Sequence, residues 1–461
     1  MRTRNPLVAP ELREMLASGD SQALRHFCES VHPASAAELV SALSGEEAWG
    51  VLRHTDMSLR AEIFSHLDRD FQVEIIEILH RGAIARLLAE MSADDRADLF
   101  KHLPEELRES VLPAMAHVER EDIRRLVAYE EGTAGAVMTS DYATLSPELT
   151  ASQAIEHLRE VAPDAETIYY AYVIDGQRRL LGFVSLKDLI LARRGARISD
   201  IMHGEAIFAR VQDDQEDAAR KIRKYDLIAL PVVNDDDVLM GIITHDDAMD
   251  IITQEHTEDM EKFMAIAGSH EDAVYMRSSA WRHFKNRSIW VFVLALFGLV
   301  SGYIIQSFEG MLLQLVILTT FIPMLADTGG NTGSQSATLV VRALALKEVS
   351  PRDFRRVLAK EFQVAILLAL MLGVVAFGRV LLFGAGSTVP EGVSLGMIAM
   401  AVSVALGVQV VVATLVGALM PLLVSKLNRD PAVIASPALT TIVDITGLLI
   451  FFATVKLMLG I

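Results

Sequence analysis

The chain has 461 residues, more than one compact core can hold, so two to four domains are expected. Its net charge of −18 is unevenly distributed along the chain. The part from Ile289 onward has 8 acidic and 10 basic residues and a net charge of +2, so the part before it has a net charge of −20. An acidic balance without a basic stripe argues against nucleic acid and favours cations as partners, and the single cysteine, Cys28, excludes an internal disulfide framework and suits the reducing cytosol.

Residues 1–131 are predicted to form an all-α regulatory domain of short amphipathic helices. No basic stretch with a short apolar core opens the chain, so we expect no cleavable secretory signal. The strings L-D-R-D-F-Q-V-E-I-I-E-I-L (67–79) and M-S-A-D-D-R-A-D-L-F-K-H-L (91–103) each place an acidic capping turn before apolar residues spaced three and four apart. Such units can stack into a superhelical solenoid, and an irregular helical bundle fits the pattern equally well.

An internal repeat of about 64 residues predicts two α/β modules, at 132–199 and 200–254. Val-Met-Thr (137–139) recurs as Ile-Met-His (201–203), and L-G-F-V-S-L-K-D (181–188) recurs as M-G-I-I-T-H-D-D (240–247). Each copy is predicted to fold as strand, helix, strand, turn, strand, helix. Because these landmarks recur in the same order, the region resembles a tandem pair of CBS modules, which generally sense ligands.

Four side chains match the position where many CBS modules hold a ribose. They are Thr244 and Asp247 in the second module and Ser185 and Asp188 in the first. A nucleotide modulator such as ATP and a purely structural capping role are both compatible with these residues.

Residues 255–287 are predicted to form a long connecting helix between the paired modules and the first apolar stretch. Its beginning carries Glu255, Glu258 and Asp259, and its end is basic, through Arg282 and Lys285 among others. This distribution of charge suits the helix macrodipole, which by itself explains it.

Residues 288–461 are predicted to form an all-α membrane domain of five helices. Each of five stretches reaches the roughly 20 residues that a helix needs to cross a bilayer. The stretches are Ile289–Phe308, Met311–Ala326 (continuing as a polar segment toward Leu346), Phe362–Phe383, Ser394–Val424 and Val433–Leu459.

Lysine and arginine predict the orientation of this domain, because they concentrate in cytoplasmic loops. The loops on the other side carry mainly Glu309 and Glu391, and Arg379 is the one exception. We therefore expect a multi-pass protein of the cytoplasmic (inner) membrane, with the soluble part in the cytosol and the C-terminus outside. The basic residues that support this lie before the first span, between the second and third, and between the fourth and fifth: Arg282, Lys285, Arg287, Arg342, Lys347, Arg352, Arg355, Arg356, Lys360, Lys426 and Arg429.

Polar residues interrupt the second and fifth predicted spans, which is costly in a bilayer unless they face protein or water. In the fifth span, Pro437, Thr441 and Asp444 share one helix face, and Thr440 lies one turn from Asp444. Pro437 cannot donate to the carbonyl of Val433, so that carbonyl is a candidate cation or water ligand.

Two further polar residues of these segments have a structural alternative. Asn331 in A-D-T-G-G-N-T-G-S-Q-S (326–336) is a candidate ligand, but amides also bridge helices. Asp430 before Pro431 suits the cap of the fifth span better than a ligand, although it stays a candidate regulatory residue.

The strings P-M-L-A-D-T-G-G-N-T-G-S-Q and D-P-A-V-I-A-S-P-A-L-T-T-I-V-D-I-T-G resemble the pore signatures of the MgtE family of magnesium channels. The order of the predicted domains matches that family over nearly the whole chain. The resemblance implies a homodimer, a pore along its axis, selection of magnesium by Asp444, a connecting helix that plugs the pore when cytosolic magnesium is high, and no enzymatic activity.

The chemistry of magnesium agrees with this resemblance, because Mg²⁺ gives up its waters reluctantly. One carboxylate, Asp444, would supply charge, while Thr440, Thr441 and the Val433 carbonyl would bond the waters of the ion. Between Glu205 and Glu261 there are 16 acidic and 5 basic residues, which suggests a sensor in which cations bridge facing carboxylates. A merely solvated acidic surface is the alternative. The candidate regulatory residues are Asp213, Asp214, Glu216, Asp217, Asp226, Asp246, Asp247, Asp250, Glu255, Glu258, Asp259 and Asp430.

Three other functions are alternatives. An intramembrane aspartyl protease is disfavoured because the D-T-G at Asp327 lies in a helical, glycine-broken segment and Asp444 has no matching triplet. A membrane-anchored sensor that transports nothing is disfavoured by the polar second and fifth spans. A transporter of the same build for Co²⁺ or Mn²⁺ stays open, because oxygen ligands also accept those ions.

Overall fold

A computed structural model of the chain describes residues 8–266, 279–384, 392–427, 430–431 and 436–460. Over these residues the chain divides into two compact units, one ending at Glu255 and one beginning at His256.

The N-terminal part of the first unit is a stack of short helices. Helices that are two apart along the chain pack against each other, which is the arrangement of a solenoid. The two strings with acidic capping turns form α6 and α8, as predicted, and Phe64, Phe71 and Ile75 lie in the buried core. The helices are α1 (Ala9–Ser18), α2 (Ser21–Ser30), α3 (Pro33–Val40), α4 (Gly45–Leu52), α5 (Met57–Ser65), α6 (Arg69–Glu77), α7 (Arg81–Ala89), α8 (Ala93–His102), α9 (Glu105–Val111) and α10 (His117–Val127).

The two repeats fold as predicted, each around a three-stranded sheet with a parallel first pair and an antiparallel second pair. The first contains β1 (Tyr142–Leu145), α11 (Ala151–Val161), β2 (Thr167–Ile174), β3 (Leu180–Ser185) and α12 (Leu186–Leu191). The second contains α13 (Ile198–Ile201), β4 (Ala209–Arg210), α14 (Gln215–Tyr225), β5 (Ala229–Val233), β6 (Leu239–Thr244) and the start of α15 (His245–Phe263).

The repeated landmarks have a common structural cause, because each repeat donates a segment to the other sheet. Thr139 exchanges backbone hydrogen bonds of 2.8 and 2.9 Å with Ile242, and His203 exchanges bonds of 3.1 and 2.9 Å with Phe183. A Cβ on Gly182 would lie 2.3 Å from the His203 carbonyl oxygen. Glycine at this position therefore allows the crossing segment to approach the strand.

The second unit is helical. It contains the last part of α15, then α16 (Ala280–Ser307), α17 (Glu309–Gln314), α18 (Ile322–Ala345), α19 (Phe354–Phe383), α20 (Leu395–Lys426) and α21 (Ser436–Leu459). Short 3-10 turns cover Val316–Phe321 and Pro351–Asp353. In the described residues, four helical segments are long and apolar enough to cross a membrane: Ala280–Ser307, Pro351–Phe383, Leu395–Lys426 and Pro437–Leu459.

The remaining long helix, α18, corresponds to the second predicted span. The predicted start at Met311 is wrong, whereas the predicted polar continuation toward Leu346 is helical as far as Ala345. Its 24 residues begin at Ile322, because Pro323 lies in the first turn, where its missing N–H costs nothing. Most of the apolar stretch before it forms α17 and a 3-10 turn. The span thus consists largely of the polar segment that the hydropathy pattern placed at its end.

Helices α18, α20 and α21 pack tightly on one another. A Cβ on Gly417 of α20 would lie 2.1 Å from the Gly333 carbonyl oxygen of α18, so these helices touch through their backbones. Arg379, the exception to the charge pattern, donates to the Thr320 carbonyl at 2.9 Å and lies 4.4 Å from the centre of the Phe321 ring.

Two separate helices, α15 and α16, cover the ends of the predicted connecting helix, and the described residues after Phe263 do not continue it as one helix. Helix α15 continues from the second repeat and ends at Phe263. Two residues later, Ala265 has a left-handed conformation (φ 58°). Helix α16 begins at Ala280, and Ser279 caps it by accepting from the Arg282 N–H. Residues 267–278 of the predicted helix lie outside the described residues.

Candidate ion pathway and regulatory sites

Asp444 is a half-buried carboxylate on α21. Its Oδ1 atom is buried and has no hydrogen-bond partner among the described residues. Thr441 lies on the same helix face, one turn earlier, and its hydroxyl donates to the Pro437 carbonyl at 2.9 Å. A buried carboxylate oxygen without a donor is costly in a membrane domain unless a cation or water meets it.

Thr440 places α21 directly against α18. Its hydroxyl lies 3.3 Å from the Ser334 hydroxyl, and a Cβ on Gly330 would lie 2.7 Å from the Thr440 methyl group. The glycines of α18 thus allow the threonine-bearing face of α21 to approach closely. Val433, the predicted carbonyl ligand, lies outside the described residues.

Helix α18 has a continuous polar face that is exposed in the single chain. Asp327, Asn331 and Gln335 follow one another at intervals of four residues, and all three are exposed. Asn331 donates to Asp327 Oδ1 at 3.1 Å, so its amide bonds a neighbour on its own helix. Such a face within a set of apolar spans calls for a polar counterpart or water.

The four predicted nucleotide ligands are capping residues in this structure. The Ser185 hydroxyl donates to Asp188 Oδ2 at 2.5 Å and accepts from the Asp188 N–H, which closes a capping box on α12. The Thr244 hydroxyl likewise donates to Asp247 Oδ2 at the start of α15. The bond from Ser185 holds the pKa of Asp188 below its ordinary value.

An acidic cluster in the first unit brings together carboxylates that are distant in the sequence. Burial, reinforced mainly by the charge of Asp94, raises the pKa of Asp247 to about 8. Burial and Asp95 raise the pKa of Asp94 to about 7, and burial and Asp94 raise that of Glu166 to about 7. Asp246 adds to the shifts of Asp247 and Glu166.

Asp94, Asp95 and Glu166 were missed as functional candidates. The first two lie in the capping turn of α8, so helix capping explained them, and Glu166 begins no recognisable motif. Only the packing of α8 beside the second repeat makes them neighbours of Asp247. The acidic pairs at 94–95 and 246–247 were a weak signal in the sequence, because such pairs also occur at 213–214 and 235–237.

Most of the other predicted regulatory acids in the first unit have a local partner. Asp213 pairs with Lys221 at 2.9 Å, and Glu255 accepts from the Gln215 amide at 2.7 Å. Glu216 and Asp217 both pair with Arg220, Asp214 caps α14, and Asp226 ends that helix in a left-handed conformation. Asp250 is exposed on α15.

In the second unit, a lysine links α15 to the segment before α21. Lys262 Nζ lies 2.7 Å from Glu258 and 3.3 Å from Asp430. Burial and the charge of Asp430 raise the pKa of Asp259, the neighbour of Glu258. Helix α21 is described from Ser436 onward and residues 432–435 lie outside the described residues, so the cap at Asp430 stays a prediction.

No group of three or more His, Cys, Asp or Glu side chains in the part of the chain that the structure describes is arranged to hold a metal ion. Asp444 and the regulatory acids therefore do not form complete cation sites within these residues of a single chain.

A helical membrane domain that holds a half-buried carboxylate and a polar helix face among apolar spans has the features of an ion transporter. Family models agree with this class. One described as a divalent cation transporter matches residues 322–454, the MgtE intracellular N domain matches 31–132, and the CBS domain matches 134–195 and 198–254. The chain belongs to the MgtE family of divalent cation transporters, and it is not an enzyme.

Named relatives and solved structures support this membership. The magnesium transporter MgtE of Thermus thermophilus is 37% identical over 98% of both chains, and that of Bacillus subtilis is 31% identical over 95% of this chain and 94% of its own. The cytosolic domain of the Mg²⁺ channel MgtE, solved in complex with ATP, is 37% identical with a TM-score of 0.50 and covers 52% of this chain and 98% of its own. The soluble part of a magnesium transporter is 32% identical with a TM-score of 0.51, covering 53% and 97%.

Proposed function

We propose that the protein conducts Mg²⁺ into the cell through a pore whose ion-selecting group is Asp444. The observation that carries the proposal is the buried Oδ1 atom of Asp444, which lacks a donor among the described residues. Thr440 and Thr441 lie on the same helix, four and three residues before Asp444. The names of the relatives, which are magnesium transporters, favour Mg²⁺ over Co²⁺ and Mn²⁺.

The pore forms between two copies of the chain. The polar face of α18, with Asp327, Asn331 and Gln335, is exposed in one copy, and a bilayer is a poor solvent for it. A second copy related by a twofold axis would turn this face toward water and bring two Asp444 carboxylates to the same ion. Asn331 and the Val433 carbonyl would then bond the waters that Mg²⁺ retains.

Cytosolic Mg²⁺ closes the pore. The acidic cluster of Asp94, Asp95, Glu166, Asp246 and Asp247 holds carboxylates that repel one another, and a divalent cation relieves this repulsion. Closure brings the remaining regulatory acids into contact with cations. These are Asp213, Asp214, Glu216, Asp217, Asp226, Asp250, Glu255, Glu258, Asp259 and Asp430.

The charge of the loops supports the orientation, with both soluble domains in the cytosol, the C-terminus outside and the protein in the cytoplasmic membrane. ATP is a candidate modulator, since a 37% identical cytosolic domain was solved with ATP. Ser185, Asp188, Thr244 and Asp247 are the residues that would contact its ribose if both repeats bind it.

The test is Mg²⁺ influx into proteoliposomes that contain a magnesium dye. We expect wild-type protein to conduct at low internal Mg²⁺, Asp444→Ala to abolish influx, and Glu309→Gln, which removes a carboxylate from the first turn of α17, to conduct normally. Absence of wild-type influx would overturn the transport proposal. Equal influx in wild type and Asp444→Ala would retain transport and remove Asp444 from the pathway, and preference for Co²⁺ or Mn²⁺ in competition would change the substrate.

A further inference from the structure

Gln409 is a fully buried amide on α20, one of the most apolar helices of the chain. Its side chain is 1% exposed, and its Nε2 atom donates to the Leu325 carbonyl of α18 at 3.0 Å. It is among the few polar side chains buried in the second unit, together with Thr332, Ser336 and Thr414. Unlike Thr414, whose hydroxyl bonds its own helix at Val410, Gln409 reaches across to another helix.

Two glycines from different helices make room for this amide. A Cβ on Gly329 of α18 would lie 2.3 Å from Gln409 Nε2, and a Cβ on Gly447 of α21 would lie 2.2 Å from the same atom. Both distances are far inside van der Waals contact. The amide therefore fills a notch in which α18, α20 and α21 meet, and neither glycine can be replaced without moving it.

Packing alone does not account for a glutamine at this point. Its Oε1 atom is buried and has no hydrogen-bond partner among the described residues. A buried acceptor without a donor is destabilising, and an apolar side chain of the same length would fill the notch without that cost. What the amide contributes beyond packing is therefore its Nε2 bond and its shape, which act on the neighbouring helices.

The notch lies next to the candidate ion site. Asp444 is three residues before Gly447 on α21, so both lie on nearly the same side of the helix. Leu325 and Gly329 precede Asn331 on α18. A change in the position of the Gln409 side chain would therefore shift the two helices that carry the polar residues of the pathway.

We propose that Gln409 is a positioning residue that sets the distance and rotation of α21 against α18 and thereby places Asp444 for the ion. The amide acts as a spacer, bonded to the backbone of one helix and wedged against a glycine of the other. This inference rests on the proposed function only for the role of Asp444, and the spacing of the helices can be tested without transport.

The transport test replaces Gln409 by methionine, which has nearly the same volume and no donor. We expect Gln409→Met to raise the KM for Mg²⁺ influx by about tenfold, as a small misplacement of a binding group does, with a smaller change in maximal rate. Thr414→Val is the matched control, since it also removes a buried polar group from α20, and its KM should equal that of wild type. An unchanged KM in Gln409→Met, or an equal change in Thr414→Val, would overturn the proposal.

A suppressor test covers the case in which Gln409→Met does not fold. Gly447→Ala introduces a methyl group that meets the amide, so we expect it to impair influx. Gln409→Ala removes the amide, so Gly447→Ala combined with Gln409→Ala should conduct better than Gly447→Ala alone. If the double variant is no better than Gly447→Ala, the steric relation between the two residues is wrong and the proposal fails.

A structural readout separates this proposal from the function of Asp444. In a Cys28→Ala background, Ser334→Cys with Thr440→Cys should form a disulfide between α18 and α21, because the two hydroxyls are 3.3 Å apart. We expect Gln409→Met to reduce its yield and Thr414→Val to leave it unchanged. An unchanged yield in Gln409→Met would overturn the positioning role even if Asp444→Ala abolishes influx. A reduced yield would support it even if Asp444→Ala still conducts.

Discussion

Single carboxylates in the first unit respond to pH in a direction that their burial determines. Burial raises the pKa of Asp247 to about 8 and those of Asp94 and Glu166 to about 7. In the unfolded chain such groups titrate near 4. Between about pH 4 and pH 8 the folded protein therefore binds more protons than the unfolded chain, and its stability falls as pH rises through this window.

Replacing one of these carboxyls by an amide should remove part of that penalty. We expect Asp94→Asn to raise the unfolding temperature of chelator-treated protein by about 3 °C at pH 8 and by less at pH 5, where the carboxyl of the folded wild type is still protonated. Thermal unfolding followed by tryptophan fluorescence measures this. Glu62→Gln, at an exposed position on α5, should show no such difference. A destabilised Asp94→Asn at pH 8 without divalent cations would contradict the argument.

Lys262 is a protein cation placed among candidate regulatory acids. Its ammonium group lies 2.7 Å from Glu258 and 3.3 Å from Asp430, so it supports the contact between α15 and the segment before α21. Without it, closure must rely more on Mg²⁺. We expect Lys262→Met to raise the internal Mg²⁺ concentration that halves influx by about threefold, the effect of a partly exposed ion pair.

The dye-loaded proteoliposomes measure this, with internal Mg²⁺ varied. Lys187→Met, at an exposed site on α12, is the control and should close at the wild-type concentration. A lower closing concentration in Lys262→Met would mean that the lysine opposes closure instead of supporting it.

Among the helices, the contact of α18 with α20 depends on glycine. A Cβ on Gly417 would lie 2.1 Å from the Gly333 carbonyl, which is backbone and cannot rotate away. We expect Gly417→Ala to cost about 2 kcal/mol through overpacking and to lower the unfolding temperature in detergent. Gly298→Ala on α16, where nothing lies within 4 Å of the added carbon, should be neutral. Equal stability of the two variants would contradict the close crossing.

The helices and strands differ in how well the sequence predicts them. The two repeats were predictable because the same backbone exchange, at Thr139 and at His203, requires the same short motif twice. The start of α18 was not, since hydropathy follows apolar residues and this helix begins where they end, at Ile322. Domain limits such as 131 and 254 stay predictions.

The residues of the candidate site also differ in how well the sequence predicts them. Asp444 could be predicted because a carboxylate in an apolar span is conspicuous within a single segment. Asp94 and Gln409 could not, since each depends on residues distant in the sequence, Asp247 for one and Gly329 and Gly447 for the other. The role of a buried polar group depends on the helices that pack around it. The periodicity of the sequence does not show which helices these are.

For the whole molecule, the polar face of α18 determines the expected assembly. A single chain exposes Asp327, Asn331 and Gln335 in a domain that lies in lipid, whereas a twofold dimer would gather these faces around water. Residues near the axis should then meet their own copies, and residues on the outer, apolar faces should not.

Cysteine cross-linking in membranes tests this arrangement. In a Cys28→Ala background we expect Asn331→Cys to form a disulfide-linked dimer on mild oxidation, because each thiol would face its counterpart across the axis. Leu367→Cys, 68% exposed on α19, should stay monomeric, since an apolar outer face would be in contact with lipid. Dimers linked through Leu367→Cys and not through Asn331→Cys would place the interface on the opposite side of the domain, and the pore could then no longer lie along the polar face of α18.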